Sequence, residues 1–160
     1  MSPTTPVPPL PGRPCSAAAA LSVVGEKWAL LAVREILFGN RRFDAIARNT
    51  GAPRDRLTAR LRALEESGIV ERRAYNERPP RYEYHLTRAG RDLAPVIRAL
   101  VAWGDRWVMD EPPVVLRHRD GHPVDTVEYC RTCGEEVHDR DLEIDVRGAE
   151  WTRTGPAASV

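Results

Sequence analysis

Apolar positions along this chain change period twice. Helical spacing holds to about residue 68, alternation holds to residue 86, and helical spacing returns to about residue 109. Ser16 is a good N-cap for an alanine-rich helix to Val24, which Gly25 breaks. A second helix is expected from Glu26 to Phe38. It places Trp28, Leu31 and Glu35 on one side, continues an apolar face through Leu30, Val33 and Leu37, and ends at Gly39. A short third helix from Arg42 or Phe43 to Asn49 carries Phe43, Ile46 and Ala47, and Gly51 closes it. The fourth starts near Pro53, a favoured first helical residue, and ends at Gly68. Leu57, Leu61 and Leu64 make a narrow core stripe along it. Arg54, Arg56, Thr58, Ala59 and Arg62 fall outside that stripe, and Arg60 flanks it.

Two strands follow, Ile69 to Tyr75 and Arg81 to Leu86, joined by a stiff loop from Asn76 through Pro79 and Pro80. Thr87 is placed to cap a long helix to about Met109, carrying Leu93, Val96, Ile97, Leu100, Trp103 and Trp107. Pro95 lies inside it and predicts a kink or a late start. Pro112 and Pro113 end this unit, and residues 114–150 read as short strands and turns. The fold class is therefore mainly α with a β-hairpin. The organisation is a proline-rich, disordered 1–14, a main domain over 15–110, a small acidic module over 111–150 and a flexible tail over 151–160.

Charge sharpens this division. The net charge is +1. From Arg41 to Arg91, however, 13 arginines oppose seven acids, and from Asp105 to Glu150, 13 acids oppose six arginines. A basic middle beside an acidic end points to a polyanion-binding domain with a different module attached. Of the 24 basic residues only Lys27 is a lysine. Arginine suits two-pronged contact with phosphate and guanine, although a GC-rich coding bias would favour it too. The apolar run Ala17–Val24 is too short to span a membrane and lacks the basic segment that opens a secretory signal. The chain is expected in the cytoplasm, at the nucleoid.

The element order (three helices, a fourth arginine-bearing helix, a two-stranded wing and a long last helix) is that of a winged helix-turn-helix. Several local motifs carry a closer resemblance. They are Cys15, Gly25-Glu26-Lys27-Trp28, Arg34-Glu35-Ile36-Leu37-Phe38-Gly39 and Arg41-Arg42-Phe43-Asp44. Further along stand Leu57-Thr58-Ala59-Arg60-Leu61, Gly68-Ile69-Val70-Glu71-Arg72, Pro79-Pro80-Arg81-Tyr82-Glu83-Tyr84 and Leu86-Thr87-x-x-Gly90. Over residues 15–108 the chain resembles the HxlR family of bacterial regulators, relatives of the MarR-like winged helix proteins. The resemblance implies a homodimer built from the first and last helices, bound to an inverted-repeat operator, regulating transcription by repression or activation, with repression the better expectation, and without catalysis. The residues agree with a dimer. Leu21 with its alanine-rich helix, and Leu100, Trp103 and Trp107, are more apolar surface than one small domain buries; the alternative is ordinary core.

On double-stranded DNA, Arg54, Arg56, Thr58 and Arg60 are expected in the major groove with Arg62 at its edge. Arg41 and Arg42 are placed to hold a phosphate before the third helix. Arg78 and Arg81 bracket the wing prolines, placed for the minor groove or its phosphates. Arg34, beside Glu35, reads as a structural ion pair instead.

Three cysteines make no disulfide framework. Cys15, ahead of the first helix, is a redox candidate, since a helix N-terminus favours a thiolate; the alternative is a small buried residue beside the dimer interface. Cys130-Arg131-Thr132-Cys133-Gly134 resembles a zinc knuckle, so the acidic module is expected to be zinc-ribbon-like. Its other ligands would have to come from His118, Asp120 or His122, with His138 more remote. Asp120 stands where similar chains carry a cysteine, so a metal-free ribbon is the competing expectation and no cofactor is required. A thiol–disulfide enzyme using Cys130 and Cys133 lacks the surrounding βαβ pattern, so no enzyme is expected. An acidic module that contacts a protein partner or masks the basic domain is a further reading, and the effector, a small molecule or an oxidant, is unnamed by the residues.

Overall fold

A computed structural model describes residues 15–147 and, beyond them, the backbone of 151–152 and 155–156. The disordered start expected over 1–14 lies outside the described residues, as does most of the flexible tail. The elements run α1 Ser16–Val24, α2 Lys27–Leu37, α3 Phe43–Thr50, α4 Arg54–Glu66, β1 Val70–Glu77, β2 Pro80–Leu86, α5 Arg88–Arg91 and α6 Ala94–Trp107. A 3-10 turn Asp139–Asp141 and a two-residue pairing of β3 Trp151–Thr152 with β4 Gly155–Pro156 follow.

One core holds the winged helix. Leu57, Leu61 and Leu64 of α4 are at most 1% exposed. They meet Val33 and Ile36 of α2, Ile46 of α3, Ile69, Val70 and Leu86 at the root of the hairpin, and Ile97 of α6. The three leucines are the expected stripe. On α2 the fully buried positions are Ala29, Ala32, Val33, Glu35 and Ile36. The expected Leu30–Val33–Leu37 face packs on the core, Val33 fully buried and Leu30 and Leu37 partly buried at the edge, while the small Ala29 and Ala32 let α2 approach its neighbours.

Helix ends differ by a residue or so from the sequence reading. Cys15, not Ser16, is the N-cap of α1, and Pro53 is the N-cap of α4 rather than its first residue. Gly51 takes φ +68° to close α3, the left-handed conformation that glycine adopts without Cβ strain. Pro95 causes a late start. Thr87 caps only the single turn α5, its Oγ1 accepting from the Gly90 N–H at 3.2 Å, and α6 begins afresh at Ala94 with Pro95 in its first turn.

The hairpin is longer than expected, with only Arg78 and Pro79 in the turn. The strands pair antiparallel from Val70–Leu86 to Glu77–Pro80, with an irregularity between Ala74 and Asn76 that leaves Tyr75 as the extra residue. A third short segment joins the sheet. Arg42 bridges Glu83, and the Tyr84 N–H donates to the Arg41 carbonyl at 2.8 Å. The start of α3 is therefore stitched to the wing.

Beyond Trp107 the chain forms two small reversals held by isolated bridges, Arg117–Pro123 and Tyr129–Glu136. The strands expected there reduce to these bridges. Among the described residues 108–147, Leu116, Val124, Cys130 and Val137 are half-buried and the others are exposed, so these residues form no core of their own.

Candidate nucleic-acid interface

The candidate surface comprises α4, the start of α3 and the wing. Burying Leu57, Leu61 and Leu64 fixes the rotation of α4 about its axis. Arg54, Arg56, Thr58, Ala59 and Arg62 are consequently exposed. The Arg54 and Arg62 side chains are 70% and 79% exposed. Arg54 lies over the Phe43 ring and pairs with Asp44 at 2.8 Å, so it is aimed by two residues of α3. Arg62 pairs with Glu66 one turn on, and the Thr58 hydroxyl donates to the Arg54 carbonyl. Exposed pairs of this kind are worth about 0–1 kcal/mol and yield readily to a phosphate or base.

Arg60 stands apart. Its side chain is half-buried and turns toward Glu26, the N-cap of α2, at 3.9 Å. Arg41 and Arg42 are exposed at the α3–wing junction. Arg42 packs on the Tyr75 ring and donates from Nε to Glu83 Oε1 at 3.0 Å. Arg78 sits in the wing turn, preceding a cis Pro79, and Arg81 begins the return strand. Tyr75 and Glu83 orient Arg42, a role the sequence does not mark; the Tyr82-Glu83-Tyr84 run in a strand is a signal for Glu83 alone.

Arg34 behaves as expected. It donates from Nε and Nη2 to Glu35 Oε1, while Asn40 and Asn49 donate to Oε2 at 2.7 and 2.8 Å. Glu35 is the buried charged residue of the core, 4% exposed. Burial pushes its carboxyl up. The hydrogen bonds from Asn49, Arg34 and Asn40 and the charge on Arg34 outweigh this and hold it below the usual carboxylate range. Asn40 and Asn49 carry no sequence periodicity that marks them as partners.

The expected dimer residues lie on one kind of surface. Leu21 on α1 and Leu100, Trp103 and Trp107 on α6 are 51–64% exposed. Helix α6 is apolar on both sides, since Leu93, Ile97 and Val101 turn inward to the core.

Cys15 is exposed at the N-cap of α1, not buried in the single chain. Cys130 and Cys133 occupy the second reversal. The backbone N–H groups of Cys133 and Thr132, with the Cys133 thiol, pull the Cys130 thiol down to about 7. His118 and His122 stack in the first reversal at 4.4 Å, with His122 Nδ1 2.6 Å from Asp120. Among the described residues no group of three or more His, Cys, Asp or Glu side chains is gathered to hold a metal ion.

Residues 23–112 match the HxlR-like helix-turn-helix family. The chain belongs to that family. It is a transcriptional regulator with a helix-turn-helix DNA-binding domain. A relative from Mycobacterium tuberculosis, the HTH-type transcriptional regulator Rv3095, is 47% identical over 126 residues, 77% of this chain and 80% of that one. The solved structure of PA1607 superposes with a TM-score of 0.73 at 32% identity, covering 82% of this chain and 94% of the other. The reduced redox regulator HypR superposes at 0.51 with 35% identity, covering 59% and 96%. Among the described residues no single helix is long and apolar enough to cross a membrane.

Proposed function

We propose that this HxlR-type chain is a sequence-specific repressor that binds an inverted-repeat operator as a homodimer, in the cytoplasm at the nucleoid, with no catalytic activity. The observation that carries this reading is α4. One face is buried by three leucines, and the opposite face presents Arg54, Arg56, Thr58 and Arg62 to solvent beside an arginine-tipped wing. Arg56 reads guanine edges, Thr58 offers its methyl to thymine, and Arg54 and Arg62 sit at the groove margins. Arg41, Arg42, Arg78 and Arg81 fix the register on phosphates. Arg60 steadies the flank of α4 through Glu26.

Dimerisation follows from the second apolar face of α6 with Leu21, since a patch of large exposed side chains is the mark of an interface. A symmetric dimer matches two half-sites about one helical turn apart. Selection of bound DNA from a random pool tests the reading. Enrichment of an inverted repeat with that spacing supports it; a pool with no enriched sequence contradicts it.

Redox control is a second reading, favoured by exposed Cys15 on a helix of the dimer surface and by likeness to a redox regulator. Operator affinity measured before and after a mild oxidant tests it, and equal affinities contradict it. DNA binding through α4 and the wing needs no cofactor. Zinc on Cys130 and Cys133 would require His118 and His122 to join them, and metal analysis of freshly purified protein decides that point.

A further inference from the structure

Between the wing-side helices and α6 lies a cavity of about 500 Å³, within the range of small-molecule sites. Its walls are largely apolar, with Phe38, Leu100, Met109 and Val114 among them, and the segment just after α6 closes one side. The buried Glu35 network forms its polar end. Three charged side chains line it, Arg34, Glu35 and Asp105.

Those charges are unequal in availability. Arg34 commits Nε and Nη2 to Glu35 Oε1, and Asn40 and Asn49 occupy Oε2. A carboxylate only accepts, so both amides must present their Nδ2 to it. Their carbonyl oxygens are left as acceptors at the same end. Asp105 is half-buried and forms no ion pair among the described residues. The cavity therefore has one neutralised ion pair, two amide acceptors, an unpartnered carboxylate, and an aromatic ring at Phe38. An anion finds no spare cation there. A neutral apolar guest leaves Asp105 facing apolar surface without a counter-charge. A cation with an apolar body is the guest whose charge Asp105 balances and whose body the apolar wall, Phe38 included, covers.

We propose that this cavity is an effector site for an apolar organic cation of drug-like size. As an effector site it rests on the DNA-binding reading, because its reporters are the operator-facing and dimer-facing elements. Asn49 belongs to α3, which orients Arg54 through Phe43 and Asp44, and Leu100 belongs to the outer face of α6. A guest wedged between them changes the angle between the reading helices and the dimer helices, and a ligand shifts the equilibrium only through such differential contact.

The test uses two ions of one shape and opposite charge, tetraphenylphosphonium and tetraphenylborate, titrated into the full chain by calorimetry without DNA. The expected result is binding of the phosphonium and not the borate, with Asp105→Asn weakening the phosphonium by about tenfold. Gly104 lines the cavity, and a Cβ there meets nothing within 4 Å. Gly104→Leu adds bulk to that wall, its Cβ meeting no neighbour, and is expected to weaken phosphonium binding in a folded protein. Equal or tighter borate binding, no binding of either ion, or an unchanged Asp105→Asn overturns the site. A gel shift with saturating phosphonium then reads regulation. A changed operator affinity that Asp105→Asn removes supports the effector role, and an unchanged one overturns that role. The calorimetry stands whether or not the chain binds its operator, so failure of the site and failure of the DNA reading are told apart.

Discussion

Asn49 Nδ2 donates to Glu35 Oε2 at 2.8 Å, joining the end of α3 to the last turn of α2 across 14 residues of chain. With Asn40 and Arg34 it gives a nearly inaccessible carboxylate a full set of donors. Removing one partner of such a buried charge leaves the others unpaired, at a cost of about 3–5 kcal/mol. Glu35→Ala is expected to lose about 3 kcal/mol in urea unfolding. A loss below about 1 kcal/mol, the range of an exposed pair, would contradict the network. The folded-state pKa of Glu35 lies below its ordinary value. Its contribution is therefore complete above the ordinary glutamate range and disappears as pH falls through the lowered value. The stability difference between wild type and Glu35→Gln should shrink on acidification through that window, and a difference that grows there would have the wrong sign.

Gly90 sits against the root of the wing. A Cβ at this position would meet the Ile69 carbonyl oxygen at 2.2 Å and Leu86 Cδ2 at 3.0 Å. The Ile69 carbonyl is held in turn by the Thr87 N–H at 3.1 Å, so backbone rather than a flexible side chain must move. Gly90→Ala is expected to destabilise the chain by about 2 kcal/mol, against a gain for an ordinary helical glycine. Thermal melts of the two proteins check this, and an unchanged or higher Tm rejects the close approach.

The outer face of α6 predicts the assembly. Trp103 and Trp107 are 60% and 64% exposed in the single chain. Trp103→Glu places a charge in the centre of the patch and should convert a dimer into a monomer in sedimentation equilibrium, with helix content preserved. A wild-type chain that sediments as a monomer, or a variant that stays dimeric, would show that this face is not the interface.

Cys130 predicts a pH profile. With its thiol pulled down to about 7 by N–H groups of its own turn, alkylation by iodoacetamide should reach half its limiting rate near that pH. A Cys15→Ala, Cys133→Ala variant isolates Cys130 but removes the Cys133 thiol contribution, so its midpoint should lie between 7 and the ordinary value of 9.0. A wild-type midpoint near 9.0 would mean that the turn does not hold its N–H groups on the sulfur.

The leucine stripe of α4 was legible because Leu57, Leu61 and Leu64, spaced at four and three residues, line one face of a helix and would scatter over both faces of a strand. The wing was legible from alternation and the paired prolines, and the break before α6 from Pro95. Less visible was whatever depends on contact between distant segments. Nothing in the local pattern says that Arg42 joins the wing through Glu83, or that Ala29 and Ala32 rather than Leu30 and Leu37 are buried. Arg60 illustrates the same limit. Its spacing puts it at the flank of the stripe, and only the position of Glu26 decides which way it turns. Asn40 and Asn49 look like loop and helix-end residues until the fold places a buried carboxylate between them. The reversals after Pro113 lack a core, and so they lack the periodicity from which a core is read.

The most direct measurement is a gel-shift titration of the selected operator with wild type, Arg56→Ala and Arg78→Ala, repeated over a range of salt. Arg56→Ala should lower specific affinity by about 1–3 kcal/mol and relax the base preference at one position of each half-site. Arg78→Ala should weaken all sequences alike and flatten the salt dependence. Unchanged operator affinity in Arg56→Ala would remove α4 from the major groove and contradict its role as the reading helix.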